Sequence, residues 1–201
     1  MKLTDVRIEI VGTSPMLCHN IALSDPENEY AKQISLITSK RKKTDEDRKA
    51  IERLEWFGGL YTAHEEGMMG PVLPTRCIRK AVVEAAKVNR LGKSVTRALL
   101  FKDVHIPIAY DGPRDLEQLF QDKKYHNRAS VSVNKARIMR VRPCFPKWSI
   151  IADATLIEDA LDFDDLNRII NLAGQIEGLG DNRVNGYGRF EATVKVLEGA
   201  R

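Results

Sequence analysis

The sequence predicts one α+β domain, residues 1–201, whose strands and helices follow the order βαββαβ with two insertions. Residues 3–12 and 189–197 alternate apolar and polar side chains, which is typical of half-exposed strands. Residues 163–177 carry apolar side chains at helical spacing, and residues 74–90 do the same after the first insertion. A chain of 201 residues is long enough to bury an ordinary hydrophobic core.

A helical insertion is expected at about 24–73, shortly after the first strand. Ser24-Asp25-Pro26 indicates a helix start, because Ser or Asp caps a helix and Pro suits its first turn. Thr44 and Asp47 have the spacing of a capping box, and Gly58-Gly59 is a stop signal for the helix that they begin. The insertion is therefore predicted to contain two helices, followed by a short hairpin about Glu66-Gly67.

A second insertion is expected at about 103–130, where residues 114–128 indicate a short helix and a polar loop. Residues 131–142 and 148–156 are predicted to pair as antiparallel strands across the proline-containing turn at 143–146. With the insertions set aside, the order of elements is that of a ferredoxin-like sheet, in which both helices cover one face. The other face of the sheet would stay available for a partner.

Composition excludes several classes of protein. Charged residues make up 30% and hydrophobic residues 43% of the chain, as in globular proteins, and no run of about 18 apolar residues would span a bilayer. The N-terminus alternates charged and apolar side chains, which does not fit a signal peptide, so a cytoplasmic location is expected. Cys18, Cys77 and Cys144 are widely spaced, which favours reduced thiols, and neither a metal nor a cofactor is predicted.

Positive charge is concentrated in two stretches of the chain. The net charge is +4, and residues 76–102 hold eight Lys and Arg against one acid, Glu84. Residues 131–148 hold five Lys and Arg and no acid. Such clusters fit a polyanionic partner, although a solvated helix face explains charge on a helix equally well. The candidate phosphate contacts in these stretches are Arg76, Arg79, Lys80, Lys135, Arg137, Arg140 and Arg142.

A glycine-rich stretch, GLGDNRVNGYGRF, links the last predicted helix to the last strand at residues 178–190. Gly178 is placed to end the helix, and the Asn-Gly pair at Gly186 is a common tight turn. Neither the helix end nor the tight turn accounts for Gly180 and Gly188. A glycine that no turn requires indicates that another backbone, of this chain or of another molecule, approaches too closely for a Cβ atom.

The glycine-rich stretch does not match the familiar phosphate motifs. It lacks the Lys-Ser/Thr pair of a P-loop, and Arg183 stands where the dinucleotide fingerprint has its third glycine. Its backbone amides, flanked by two arginines, instead predict contact with a phosphodiester backbone. The candidate nucleic-acid contacts here are Gly178, Gly180, Arg183, Gly186, Gly188 and Arg189.

The pattern G-L-G-x-x-R-x-x-G-Y-G-R-F at residues 178–190 resembles the C-terminal glycine-rich loop of the RAMP superfamily, the RNA-binding proteins of CRISPR effector complexes. In plan the chain is most similar to the backbone subunits that polymerise along the guide RNA, and it also resembles uncharacterised phage and prophage proteins. The resemblance implies a modified RNA-recognition-motif fold and RNA contacts from the glycine-rich loop and the first helix. It also implies an inserted thumb, which by position would be residues 114–128.

One feature departs from that family pattern. RNA-recognition motifs stack bases on aromatic side chains of their central strands, but residues 3–12 and 131–142 contain no Phe, Tyr or Trp. We therefore expect recognition through phosphates and shape. The predicted function is non-catalytic binding of RNA or single-stranded DNA by a phage or prophage protein that self-associates as a homo-oligomer, with a filament as one form.

Two alternative functions stay open. His19 follows the first strand, and a histidine there could act as general base on an RNA 2′-hydroxyl in a metal-independent endoribonuclease. A histidine that only anchors the chain as it leaves the strand explains the same residue without chemistry. The other alternative is a protein-interaction subunit, such as an anti-CRISPR mimic, whose glycine-rich loop packs on a neighbouring protein.

Overall fold

The computed structural model describes residues 2–65, 68–133 and 136–197. The fold is a mixture of helices and antiparallel sheets, which confirms the α+β prediction. The chain divides into two compact units. The first unit is built from Met1–Met16, Pro71–Asp111 and Lys147–Arg201, and the second from Leu17–Gly70 and Gly112–Pro146.

The strands are numbered in chain order. They are β1 (Leu3–Gly12), β2 (Met16–Leu17), β3 (Thr62–Glu65), β4 (Met68–Pro74), β5 (Leu99–Phe101), β6 (His105–Pro107), β7 (His126–Val133), β8 (Ala136–Phe145), β9 (Ser149–Ile157) and β10 (Phe190–Val196). The α-helices are α1 (Glu29–Thr38), α2 (Asp45–Gly59), α3 (Thr75–Ala86), α4 (Gly92–Ala98), α5 (Leu116–Gln121) and α6 (Phe163–Ile176).

The first unit is built on a four-stranded antiparallel sheet with the order β10-β1-β9-β5. Strand β1 lies inside the sheet and buries Val6, Ile8 and Ile10 completely. Helices α3 and α6 pack against each other, and α6 also packs on β10. Gly174 makes the last contact possible, because a Cβ at that position would lie 2.0 Å from the carbonyl oxygen of Phe190.

The other side of this sheet, which we call the sheet face, carries three ion pairs, two of them between neighbouring strands and one between β1 and the residue after β5. The pairs are Arg7–Asp153, Lys195–Glu9 and Lys102–Asp5, with N–O distances of 2.7, 2.7 and 2.6 Å. Hydrogen bonds from Lys102 and Arg7 lower the pKa values of Asp5 and Asp153, respectively. Each of these three cations is therefore already matched with a carboxylate.

The second unit combines helices α1 and α2 with a β-hairpin. The Thr44 hydroxyl accepts a hydrogen bond from the Asp47 amide and the Asp47 carboxylate accepts one from the Thr44 amide, so the predicted capping box is confirmed. Trp56 of α2 is fully buried and donates from Nε1 to the carbonyl oxygen of Tyr125 at 2.8 Å. Helix α2 packs on β8, which pairs with β7 along the whole hairpin.

The predicted pairing of residues 131–142 with residues 148–156 is wrong. Strand β8 pairs with β7, whereas β9 pairs with β1 and β5. The sequence between residues 133 and 136 contains neither Gly nor Pro, so nothing marked a turn there. In the four-stranded sheet, β5 takes the place that was predicted for residues 131–142. Its three residues are too few to show an alternating pattern.

The first helix of the predicted insertion begins later than expected. Asn28 caps α1 by accepting a hydrogen bond from the Ala31 amide at 3.2 Å. Ser24 ends a short 3-10 turn, and the Asp25 carboxylate accepts from the Glu27 amide at 2.9 Å. Ser24 and Asp25, the two predicted caps, therefore lie in the turn that precedes α1 and do not cap it. Strands β3 and β4 flank the predicted hairpin, and its turn at residues 66–67 lies outside the described residues.

Candidate nucleic-acid interface

The glycine-rich loop, residues 178–188, connects α6 to β10 with a backbone that glycine adopts far more easily than other residues. Its four glycines all have positive φ angles, between 71° and 86°. At Gly188 a Cβ would also lie 1.8 Å from the carbonyl oxygen of Leu179. The close backbone predicted beside this glycine is therefore the loop itself, and no other molecule is needed to explain Gly188.

Hydrogen bonds hold the loop against the end of β1. The hydroxyl of Ser14 donates to the Gly186 carbonyl and accepts from the Arg189 amide, both at 2.8 Å. The Gly188 amide donates to the Pro15 carbonyl, also at 2.8 Å. Ser14 thus fixes the shape of the loop. The sequence did not single it out, because no local pattern links two residues that are 172 positions apart.

The tip of the loop is open to solvent, whereas its base is buried. Val184 is 93% exposed, and Gly178 and Gly188 are buried. Some amides that were predicted to bind a phosphate instead donate to carbonyl groups of the protein, as the Gly188 amide does to Pro15. Across the described residues, the amides of Arg183 and Val184 donate to no other group. The accessible part of the loop is therefore this short turn at its tip.

The loop and its helix end carry as many negative as positive charges. Arg183 Nη1 lies 3.5 Å from the carboxylate of Glu177. Arg189 donates to the Arg183 carbonyl oxygen at 3.3 Å, and Asp181 is half-buried in the same loop. Two arginines and two acids leave no net charge, so any attraction for a polyanion must come from neighbouring elements.

Helix α3 supplies positive charge beside the loop. Arg76 and Lys80 are exposed on α3, on either side of the half-buried Cys77. Burial raises the pKa of the Cys77 thiol, and the charges of Arg76, Arg183 and Lys80 act against that rise. Because all three cations act on one thiol, Arg183 of the loop and the two cations of α3 all lie near Cys77. We call this area the loop–helix surface.

Arg79, the third candidate contact on α3, points elsewhere. Its guanidinium donates to the carbonyl oxygens of Thr96 and Leu99 at 3.2 and 2.7 Å, and it lies over the ring of Phe101. These contacts satisfy carbonyl groups at the end of α4, as a basic side chain often does there. Of the three α3 candidates, the structure brings Arg76 and Lys80 to the loop and uses Arg79 for packing.

The remaining basic candidates lie in the second unit. Arg140 forms an ion pair with Glu55, which is only 6% exposed. A buried carboxylate is costly without a partner, so Glu55 takes up the guanidinium that was expected to meet solvent or an anion. Arg137 is exposed and Arg142 is half-buried, while Lys135 lies outside the described residues.

His19, the candidate general base of the enzyme alternative, is exposed in the second unit. It lines a cleft of about 540 Å³ together with Arg140 and Arg142 of β8 and Glu55 of α2. The sequence showed no partner for His19, because these residues come from separate elements. The cleft brings a histidine and two guanidinium groups together, which are residue types that act on phosphodiesters.

Two further findings limit the chemistry of the described residues. No helix among them is long and apolar enough to cross a bilayer, and no three His, Cys, Asp or Glu side chains converge as metal ligands. Burial raises the pKa of Cys144 to about 11, which makes this thiol a poor nucleophile at neutral pH.

Comparison with known proteins shows a similarity of fold. No family model and no curated protein matches the sequence. A chain of the type III-B Cmr-beta complex, solved by cryo-EM bound to cognate target RNA, superposes with a TM-score of 0.52 at 15% identity. The match covers 99% of this chain and 62% of that chain, so this chain spans less than two thirds of that neighbour's length.

A second solved structure gives the same fold. A chain of a type IV-B CRISPR complex superposes with a TM-score of 0.50 at 10% identity, over 98% of this chain and 93% of that chain. Both matches extend over nearly the whole of this chain. This chain therefore shares its fold with these two chains from CRISPR complexes, in line with the fold that the resemblance implied.

Proposed function

We propose that this RAMP-like protein is a non-catalytic protein that binds RNA or single-stranded DNA. The observation that carries the proposal is the loop–helix surface, where the charges of Arg183, Arg76 and Lys80 all act on the thiol of Cys77. Cations of two elements there flank an exposed loop tip with amides that have no other acceptor in the described part of the chain. This combination of donors suits phosphate oxygens. The neighbour bound to target RNA supports the proposal through its fold.

Binding on this surface depends on phosphates more than on bases. Base stacking on a sheet requires exposed aromatic side chains, and β1 and β9 contain none. Their outward positions hold the ion pairs of the sheet face instead. We therefore expect low sequence preference and a steep loss of affinity as salt concentration rises.

We also infer a ferredoxin-like arrangement for the first unit, with insertions at about 24–73 and 103–130. The strand order β10-β1-β9-β5 supports it, because each helical connection joins two strands that are separated by one other strand. Self-association as a homo-oligomer and a phage or prophage origin are further parts of the proposal. The two structural neighbours support assembly, since both are chains of multi-subunit complexes.

A salt series of single-strand binding tests the proposed function. The variant Lys80→Ala/Arg183→Ala removes two cations from the loop–helix surface, and Lys102→Ala/Lys195→Ala removes two from the sheet face. For single strands, each phosphate contact contributes about 0.7 to the slope of log K against log salt concentration. The first variant should therefore bind more weakly, with a slope that is shallower by about 1.4, whereas the second should behave as the wild type. Equal losses in both variants would remove the loop–helix surface from the site.

The cleft around His19 supports an endoribonuclease as the second candidate function. It predicts that labelled RNA is cut in the presence of a metal chelator and that His19→Ala abolishes cutting. Intact RNA after prolonged incubation with the wild type, or unchanged cutting by the variant, rejects it. For an anti-CRISPR mimic or another pure protein-interaction subunit, the elution volume in size-exclusion chromatography would change with protein concentration and stay unaffected by nucleic acid.

A further inference from the structure

A second basic surface lies at the C-terminal end of α3. After α3 ends at Ala86, a 3-10 turn leads to Arg90, and α4 begins at Gly92. A cleft of about 620 Å³ opens at this corner within the first unit. Its lining residues are Val83, Lys87, Arg90, Gly92, Lys93, Thr96 and Arg97. Four of these seven side chains are cations and none is an acid.

Three of the four cations have no ion-pair partner among the described residues. Lys87 is paired with Glu84 of the preceding turn at 2.7 Å. Arg90, Lys93 and Arg97 are exposed and form no such pair, whereas other cations of the first unit do, among them Lys2, Arg7, Lys102, Arg168 and Lys195. Several like charges crowded around one cleft repel one another, and an anion would relieve that repulsion.

The backbone holds one of these cations in an unfavourable conformation. Arg90 has a φ angle of 60°, in the left-handed region that glycine adopts with less strain. Its amide donates to the Lys87 carbonyl at 3.0 Å, and the Leu91 amide donates to the Ala86 carbonyl at 2.9 Å. The chain therefore turns tightly here, and Arg90 lines the cleft at this turn. Backbone strain of this kind concentrates at functional positions.

Helix α3 connects this cleft to the loop–helix surface. Arg76, Lys80 and Lys87 are four and seven residues apart, which places them along one face of the helix. The 12 residues of α3 span about 18 Å at a rise of 1.5 Å per residue. Glu84 shares this face, but its hydrogen bond with Lys87, followed by the charges of Lys80 and Arg183, lowers its pKa. The acid is therefore surrounded by cations.

We propose that the α3–α4 cleft is a second phosphate-binding segment, so that one single strand of nucleic acid runs from the glycine-rich loop along α3 into this cleft. The proposal rests on the proposed function and adds the path of the strand to it. The unpaired guanidinium and ammonium groups of the cleft select phosphate diesters by charge, without reading bases. A strand too short to reach the cleft gains nothing from it.

Strand length therefore tests the proposal. Fluorescein-labelled oligouridine and oligo-dT strands of about 4, 8, 12 and 16 nucleotides cover the site sizes of single-strand-binding folds. The test variant is Arg90→Gly/Lys93→Ala/Arg97→Ala, in which glycine suits the left-handed backbone at position 90. The control variant, Lys2→Ala/Lys102→Ala/Lys195→Ala, removes three paired cations from the same unit. Circular dichroism and urea unfolding verify that both variants are folded.

The expected signature is a loss of affinity that depends on length. The test variant should bind the shortest strands as the wild type does and bind the longest strands more weakly. Its salt slope on the longest strands should be shallower by about 2, from three lost contacts at about 0.7 each. The control variant should follow the wild type at every length. Equal affinity of the test variant and the wild type at all lengths would overturn the proposal, as would a loss that is the same for all lengths.

The same data separate this proposal from the proposed function. If Lys80→Ala/Arg183→Ala weakens the binding of short strands while the cleft variant binds every length normally, the loop–helix surface stands and the cleft proposal fails. If neither variant affects binding, both fail. If the cleft variant changes only the concentration dependence of the sizing profile, the cleft binds an acidic protein surface and the proposal is overturned.

Discussion

The sheet face and the loop–helix surface belong to the same unit, and both carry lysines and arginines, but they use these residues differently. On the sheet face Arg7, Lys102 and Lys195 each lie within 2.7 Å of a carboxylate. On α3 the exposed ammonium of Lys80 has no ion pair within the described residues. A cation held in such a short pair would have to exchange its carboxylate for a phosphate, with little net gain in free energy. Lys80, and Arg183 at 3.5 Å from the Glu177 carboxylate, would instead gain a closer partner.

The difference means that the distribution of charge in the sequence is a poor guide to binding. Residues 131–148 are as rich in cations as residues 76–102, yet Arg140 there serves a buried Glu55. Most cations of residues 76–102 have no acid of the same stretch to pair with, because Glu84 is its one acid and forms an ion pair with Lys87. We expect substitutions of cations on the sheet face to lower stability, and substitutions of cations on the loop–helix surface to weaken nucleic-acid binding.

The largest effect is expected from Gly188→Ala, which damages the loop itself. A left-handed backbone alone costs an L-residue about 1–2 kcal/mol, and here the new Cβ would also overlap the Leu179 carbonyl. The free energy of unfolding, measured in urea, should therefore fall by more than about 2 kcal/mol, and single-strand binding should be lost with it. Gly186→Ala is the matched control, since its φ is also positive but open space surrounds the position. Equal losses in both variants would show that the Leu179 contact is unimportant.

A pair of single substitutions separates stability from binding. Arg7→Ala breaks the two hydrogen bonds to Asp153 and should lower the urea midpoint without changing the affinity for single strands. Lys80→Ala should weaken the binding of single strands without changing the urea midpoint, because Lys80 is exposed and has no ion pair in the described region. Urea titration and fluorescence anisotropy at low salt measure the two quantities. The interpretation fails if Arg7→Ala weakens binding as much as Lys80→Ala.

Acid should lower the stability of the fold, because it protonates the carboxylates that form the ion pairs of the sheet face. The Arg7 hydrogen bond holds the pKa of Asp153 below its usual value of 3.8. The folded state therefore binds this proton less readily than the unfolded state, and the stabilisation is present above pH 3.8 and lost as the pH falls through the lowered pKa. Urea midpoints of wild type and Asp153→Asn should differ at neutral pH and converge in acid. A constant difference would show that the charge of Asp153 does not stabilise the fold.

The smallest effect concerns the reactivity of Cys77 on the loop–helix surface. The charge of Arg183 acts against the rise that burial causes in the pKa of this thiol. Arg183→Ala should therefore raise the pKa further and slow alkylation by iodoacetamide, since the thiolate is the reactive form. Arg97→Ala is the control, because Arg97 lines the α3–α4 cleft and is not among the charges that act on Cys77. Unchanged alkylation in Arg183→Ala would mean that the loop does not lie beside α3.

Regular amphipathic elements and local caps could be predicted from the sequence. The alternation of β1, the apolar stripe of α6 and the Thr44 capping box each depend on residues that are close in the chain. The short strand β5 and the β7–β8 hairpin could not, because three residues show no period and the hairpin connection has no Gly or Pro. Their pairing is decided by contacts between distant segments.

The candidate site was predicted in part for the same reason. The loop glycines are visible in the sequence because positive φ angles require them. That Arg183 meets the cations of α3, while Arg79 turns to α4 and Arg140 to Glu55, depends on packing between elements. The role of Ser14 and the cleft at Arg90 could not be predicted from the sequence either, although Arg90 is one of the eight cations of residues 76–102.

Ultraviolet cross-linking of a single-stranded oligonucleotide to the intact protein, followed by mass spectrometry of the peptides, locates the bound strand. We predict cross-links within residues 76–97 and 178–189, and none within β1, β9 or β10 on the sheet face. Cross-links confined to those three strands or to residues 126–145 of the second unit, with residues 76–97 and 178–189 unmodified, would contradict the proposed interface.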